Sequence, residues 1–262
     1  MNTLKITKYQ LKDAARSKWG GLYALFFLAA TDALFRFGGT GERVVLSLMN
    51  VVLLVIPLTS IVLGAMFLYG SREYIELLLS QPIERRTLFH GLFAGLALPL
   101  ASAFAVGVAI PFLYHGAFSG AATTPLLLLL GTGVLLTVIF VALAFIIALA
   151  TDDRIKGLGI ALAVWLFLAT AYDGIVLAII HLFGEYPLQK PVIVLSLLNP
   201  VDLGRILLLL QLEASALMGF TGAVFRRFFG SGLGAVITTA ALFAWLAIPF
   251  ALGRRAFARK NF

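Results

Sequence analysis

VVLSLMNVVLLVIPLTSIVLGAMFLYGSREYIELLLSQPIERR occupies residues 44–86. Its first part, 44–69, contains no charged residue. A helix needs about 20 mainly apolar residues to cross the hydrocarbon core of a bilayer, so this run is long enough to span. The second part changes character at once. On a helical wheel of about 100° per residue, Arg72, Glu73, Glu76 and Ser80 fall in one arc and Tyr74, Ile75, Leu77, Leu78 and Leu79 fill the other side. That is an amphipathic helix for an interface, too short to span. Gln81-Pro82 stops it, because proline removes a backbone donor and restrains the residue before it. Pro82 also suits the first position of a following helix, with Glu84 in its first turn. The pattern is therefore a membrane span, a short surface helix, a sharp turn and re-entry. An ordinary interfacial connector and a docking element read by another protein both fit it.

The rest of the chain agrees with a membrane setting. Of 262 residues, 61% are hydrophobic and 12% charged. Soluble domains are about 45–50% apolar and about 25% charged. There is no cysteine, which excludes disulfides, a thiol nucleophile and thiolate metal sites. The net charge of +8 does not indicate nucleic acid, because the basic residues flank apolar runs and form no basic face. The start of the chain has five basic residues but lacks a small-residue cleavage site after them, so no cleaved signal peptide is expected.

Six apolar runs are long enough to span: about 19–37, 44–69, 91–114, 125–150, 157–183 and 232–253. Helices satisfy their own backbone in lipid, and the alternation of a β-barrel is absent, so an all-α polytopic membrane protein is expected. With the N-terminus inside, Lys5, Lys8, Lys12, Arg16, Lys18, Arg72, Arg85, Arg86, Arg154, Lys156, Arg254, Arg255, Arg259 and Lys260 lie in the cytoplasm. Arg36, Arg43, Lys190, Arg205, Arg226 and Arg227 lie outside, a count of 14 against 6. Basic residues favour the cytoplasmic side, so both termini are expected there. Residues 1–18 place Lys5, Lys8 and Lys12 on one helical face, the pattern of an interfacial helix; a solvated basic tail is the alternative.

Residues 184–231 resist this scheme. Apolar stretches there are interrupted by Asp202, Arg205, Glu213, Arg226 and Arg227. Asn199-Pro200 opens a helix: asparagine caps, proline takes the first position and Asp202 meets the dipole in the first turn. A spanning helix would put Asp202 and Arg205 near the membrane midplane, which is costly. Short extracytoplasmic helices on, or dipping into, the outer leaflet are expected; a hairpin crossing the membrane is the alternative.

Several of these segments resemble a known family. REYIELLLSQPIERRTLF is similar to the first cytoplasmic loop of ABC-transporter permeases of the type-2 exporter class. There a short coupling helix with an acidic residue, leucines, a proline and arginine contacts the ATPase. Relatives often carry Gly-Thr before the leucines, where Tyr74-Ile75 stand here. KGLGIALAVWLFLATAYDGIVLAII and SLLNPVDLGRILLL resemble the permeases of nitrous-oxide-reductase maturation transporters. Those have a similar stretch outside the membrane, matched here by Leu198, Asn199, Pro200, Asp202 and Arg205, and a similar fifth span, matched by Trp165 and Asp173. The resemblance covers about 71–262. It implies a permease domain in which the loop 71–90, through Arg72, Glu73, Glu76, Pro82, Arg85 and Arg86, couples to a separate cytoplasmic ATPase that holds ATP and Mg. It further implies a second permease copy, an extracytoplasmic accessory protein, an inner-membrane location, and a sulfur- or copper-related cargo.

The chain's own residues offer little chemistry. GGTGERV at 38–44 and GSGLG at 230–234 lack the Gly-Lys pair of a phosphate-binding loop, so no cofactor and no catalytic group is expected in this chain. His90, His115 and His181 lie apart without metal-ligand spacing, and four methionines with no cysteine disfavour a copper path. Asp32 and Asp173 are the intramembrane candidates. An ion pair of Asp32 with Arg36 explains the first; Asp173 has no charged neighbour in sequence and needs a partner from another helix, a water-filled cavity or the interface. Pro57, Pro99, Pro111 and Pro249 predict kinks, and Gly91 with Gly95 a close helix contact. A membrane-embedded enzyme needs a cluster of reactive groups, and an autonomous secondary transporter needs internal repeats; neither pattern stands in the sequence.

Overall fold

The computed structural model describes residues 18–37, 39–118, 120, 122–183, 189–211 and 232–260. Every regular element among them is helical: α1 (Lys18–Arg36), α2 (Gly41–Gly70), α3 (Arg72–Leu79), α4 (Arg85–Tyr114), α5 (Thr123–Ala150), α6 (Arg154–Leu166), a π-helical turn (Phe167–Ala171), α7 (Tyr172–Leu182), α8 (Gln189–Leu197), α9 (Pro200–Gln211) and α10 (Gly232–Arg259). The expected interfacial helix over 1–18 lies outside the described residues except for Lys18, and so do residues 212–231 with Glu213, Arg226 and Arg227.

Among the described residues, five helical stretches are long and apolar enough to cross a membrane: Gly41–Gly70, Arg85–Tyr114, Thr123–Ala150, Arg154–Leu182 and Val236–Arg259. The pair Pro191–Leu197 and Pro200–Leu209 would be a sixth by composition, but it bends by 110°. The run expected at 19–37 forms α1. Lys18, Asp32 and Arg36 dilute its apolar content, and it is not among the five.

Side-chain contacts give the helix directions. Phe27 meets Phe104 and Phe35 meets Phe112, so α1 runs parallel to α4. Phe93 meets Phe145 while Phe104 lies against Gly133, so α4 and α5 are antiparallel. Trp165 donates to the Leu54 carbonyl (3.1 Å) and Gly157 lies against Tyr69, so α6 runs against α2. Gly253 packs near Ile146, and Lys260 reaches the Leu149 carbonyl, so α10 runs with α5. The chain therefore enters α1 and leaves α10 toward the same end, the end that carries α3.

The core is aliphatic and aromatic around α5, with α2, α4, α9 and α10 on its flanks. Phe89, Phe140, Phe145 and Phe257 are fully buried near the α3 end, and Phe27 and Phe104 further along. Shape decides this packing in lipid, where burying apolar surface alone earns nothing between helices. Close approach needs small residues: a Cβ at Gly107 would stand 2.6 Å from the Ala24 carbonyl oxygen. Gly91 and Gly95 are both buried within α4. Pro57, Pro99, Pro111 and Pro249 all sit inside continuous helices.

Two boundaries differ from expectation. α4 begins at Arg85, so the coupling segment expected over 71–90 closes into α3 plus a short turn. The fifth span is interrupted by the π-helical turn, whose wider coil the sequence pattern of 157–183 does not show.

Candidate functional site

The 110° bend makes α8 and α9 a hairpin whose tip is not at the end of the bundle. The Leu197 carbonyl accepts from the Trp245 indole (3.1 Å), and the Asn199 amide donates to the Leu168 carbonyl (2.8 Å). Trp245 and Leu168 each lie near the middle of their own long stretch, so the tip sits at mid-height between the spans. The stretch 199–205, expected in short extracytoplasmic helices on, or dipping into, the outer leaflet, is folded in between the spans. Asn199 and Asp202 are buried.

Burial at that depth requires every polar backbone group at the tip to be paired. The last carbonyls of α8 have no partner within the helix. Leu195 accepts from the Tyr172 hydroxyl (2.6 Å) and from Leu198 N–H, Ser196 accepts from Asn199 N–H, and Leu197 accepts from Trp245. At the start of α9, Pro200 has no N–H to satisfy, and Asn199 Oδ1 accepts from Val201 N–H (3.0 Å). Asn199 is thus both the cap of α9 and the partner of a carbonyl in the π-helical turn. Sequence showed the cap and could not show the second bond.

The same hairpin carries Arg205 to α7. Its guanidinium donates from Nη1 to Asp173 Oδ2 and to Asp202 Oδ1, the latter at 3.3 Å. The side chains of Asp173, Asp202 and Arg205 keep 32%, 13% and 28% of their exposure. Asp173, alone in its span, therefore finds its partner 32 residues away. Gly204 makes the approach possible: a Cβ there would stand 2.8 Å from Thr132 Cγ2 and 3.3 Å from Leu53 Cδ2.

Asp32 lies elsewhere, toward the end opposite α3. It accepts from Arg36 (2.6 Å), and its other oxygen lies 3.0 Å from His115 Nε2. His115 also stacks on Phe35 with centroids 4.5 Å apart. His90 stacks on Phe250, and His181 is exposed. Among the described residues, no three His, Asp or Glu side chains gather at metal-binding distance.

The second candidate surface is α3. Ile75 and Leu78 are buried, while Glu73, Glu76 and Ser80 are exposed. Tyr74 and Leu77 were expected on the apolar side, but they are 38% and 62% exposed. The wheel explains this: Leu77 falls only about 40° from Glu73, so a helix that rests on Ile75 and Leu78 turns Leu77 outward. The outward face mixes carboxylates with Tyr74 and Leu77. Pro82 and Arg86 are exposed at the turn.

Basic residues fasten this end. Arg72 donates to Asp152 (2.6 Å), Lys260 donates to the same carboxylate oxygen (2.8 Å) and to the Leu149 carbonyl, and Arg85 donates to the carbonyls of Ala258 and Lys260. The Lys260 ammonium, and after it the Arg72 guanidinium, hold the Asp152 carboxyl below its ordinary range. Asp152 escaped sequence reasoning. Its neighbour Asp153 shows a local signature, as the cap that accepts from Ile155 and Lys156 N–H, but the bonds of Asp152 run to residues far away in sequence.

Long apolar helices around an all-helical core, with charge held at one end and folded in at mid-height, define a multi-pass membrane protein. The chain belongs to the ABC-2 family of transporter proteins, whose profile matches residues 2–262. It is similar to the probable ABC transporter permease protein NosY of Pseudomonas aeruginosa, 28% identical over 230 residues, 82% of this chain and 84% of that one. It is similar also to the protein of the same name from Stutzerimonas stutzeri, 26% identical over 273 residues and 97% of each chain. Family and relatives mark a transporter permease, not an enzyme.

Proposed function

We propose that this chain is the membrane-spanning half of an ATP-driven transporter of the inner membrane, working as two copies above two cytoplasmic ATPase subunits that hold ATP and Mg. The α3 end, with both termini, lies in the cytoplasm; the side carrying Asp32 and His115 lies outside. The observation that carries this reading is the outward face of α3. Glu73, Tyr74, Glu76 and Leu77 point away from the bundle, while Ile75 and Leu78 anchor the helix and Arg72 and Arg85 tie its flanks to the ends of neighbouring spans. A mixed charged and apolar face on a fastened helix can receive a push from a partner and pass it to the spans. The residues assigned to coupling are Arg72, Glu73, Glu76, Pro82, Arg85 and Arg86, of which Arg72 and Arg85 hold the helix in place and Glu73 and Glu76 meet the ATPase.

The cargo follows from the resemblance alone: a sulfur- or copper-related species for metalloenzyme maturation, handed to an extracytoplasmic accessory protein. The lack of cysteine and the presence of only four methionines weigh against a copper path and leave the sulfur species neither supported nor excluded by the residues. The test is co-purification with the ATPase from membranes, together with transport-coupled ATP hydrolysis. Glu73→Lys combined with Glu76→Lys is expected to lower recovery of the ATPase at least tenfold. Unchanged assembly and unchanged coupled hydrolysis would remove α3 from the docking role. Transport by the purified chain in liposomes without any ATPase would establish an autonomous transporter instead.

A further inference from the structure

Arg36, Arg72, Arg205 and Lys260 each reach a carboxylate, and Arg85 reaches two carbonyls. Arg86 and Arg254 differ. Among the described residues no acid pairs with either. Neither α4 nor α10 contains a carboxylate, and Glu84, two residues before Arg86, makes no ion pair with it. Arg254 is half-buried, while Arg255 and Arg259 on the same helix are exposed. Its guanidinium therefore belongs to a crevice of the bundle and still lacks a counter-charge.

That crevice lies where α4 and α10 meet at the α3 end. His90 stacks on Phe250 with centroids 5.5 Å apart, and Phe93 meets the same ring edge-on at 4.9 Å. Arg86 stands one turn before His90 and Arg254 one turn after Phe250. The two helices are antiparallel, so both arginines flank the stacked rings from the side of the helix ends. In the other direction the groove turns apolar: Leu98 on α4 and Phe243 on α10 are 52% and 60% exposed.

Depth decides what can sit there. His90 lies five residues beyond Arg85, the start of α4, and Arg254 five residues before Arg259, the end of α10. Each step is about 7 Å along the axis. The headgroup layer of a bilayer is about 5–8 Å thick on each side. A soluble partner meets Arg255 and Arg259, but the crevice behind them is level with lipid headgroups. Two guanidiniums without an acid suit a phosphodiester, and the apolar continuation suits an acyl chain.

We propose that the groove formed by Arg86, His90, Phe250 and Arg254 at the α3 end of α4 and α10 binds an anionic phospholipid, its phosphate between the two guanidiniums and an acyl chain along Leu98 and Phe243. A lipid held there braces the start of α4, to which α3 is joined. The site stands whether or not α3 docks an ATPase.

Native mass spectrometry of the protein extracted from membranes reads this directly, with phosphatidylglycerol and phosphatidylcholine of identical acyl chains added in turn. The wild type is expected to retain phosphatidylglycerol at least tenfold better. Arg86→Gln combined with Arg254→Gln is expected to cut that preference at least fivefold. Arg255→Gln combined with Arg259→Gln removes the same charge from the exposed side of α10 and is expected to keep it. Unfolding temperature checks that the variants are folded and reads the same site: phosphatidylglycerol should raise it in the wild type and the α10 variant and not in the groove variant. Glycerol 3-phosphate, which has the headgroup chemistry without the chains, is expected to give no rise. No preference in the wild type, equal loss in both double variants, or an equal rise with glycerol 3-phosphate would overturn the proposal.

Discussion

Asn199 accepts from Val201 N–H through Oδ1 and donates through Nδ2 to the Leu168 carbonyl. The first bond starts α9; the second ties that start to the π-helical turn. A buried polar group left without its partner costs about 1–3 kcal/mol, and a lost cap about 0.5–2 kcal/mol. Asn199→Ala is therefore expected to destabilise the protein by about 1–3 kcal/mol, read as a lower unfolding temperature in detergent. Asn199→Ser keeps a capping oxygen and cannot reach Leu168, so it should fall between the two. An Asn199→Ser protein as stable as the wild type would show that the Leu168 bond contributes nothing. Asp173 and Arg205 work on the same joint from the other side. Sequence marked Arg205 as costly in a membrane and left Asp173 without a partner, because the partner comes from a different helix.

The hairpin α8–α9 carries that partner. Composition alone allows it to be a sixth span; its 110° bend and its anchored tip fold it in between the other spans. What allows it to dip is the pairing of the α8 carbonyls with Tyr172 and Trp245, and the absence of a side chain at Gly204. Gly204→Leu would drive new atoms into Thr132 and Leu53. Overpacking of this kind costs about 1–3 kcal/mol, and here it should push α9 away from α5. The expected readout is faster proteolysis at residues 189–211 with the rest of the bundle intact; uniform protection would show that the hairpin tolerates the bulk. A Thr132→Ala change in the same chain should recover part of the loss, because it removes the nearest clashing atom. Helix α3 teaches the complementary lesson. Its length and amphipathic character are legible in REYIELLL, but the arc that turns inward is set by where Ile75 and Leu78 find α2 and its neighbours.

Across the whole molecule, Asp152 joins parts that are far apart in the chain. It receives Arg72 from α3 and Lys260 from beyond α10, so α3, the α5–α6 turn and the C-terminal helix end are linked at one carboxylate. Both cations lower its pKa in the folded state relative to the ordinary value of 3.8. A depressed acid adds its contribution above that ordinary value and loses it as pH falls through the folded one. The difference between wild type and Asp152→Asn is therefore expected to be constant from neutral pH down to about 3.8 and to vanish only below it. The side chain is 82% exposed, so salt should weaken the link. A wild-type protein whose advantage over Asp152→Asn disappears at neutral pH on mild acidification would exclude this carboxylate as the joint.

Residues 44–69 carry no charge, and a helix hides the backbone of so long a run in lipid; the helical membrane class and this span follow from the run itself. The same holds for the cap at Asn199, since capping is local. The mid-height position of Asn199 does not follow: the sequence reading expected short extracytoplasmic helices on, or dipping into, the outer leaflet, without the depth of the tip. A charged residue reads as a surface residue unless its partner is known, and here the partners are Asp173, 32 residues away, and helix-end carbonyls met by Tyr172 and Trp245. Periodicity encodes which face of a helix is apolar. Whether that apolar face meets lipid, a neighbouring helix or a second copy depends on shape complementarity between distant segments, and only their packing settles it.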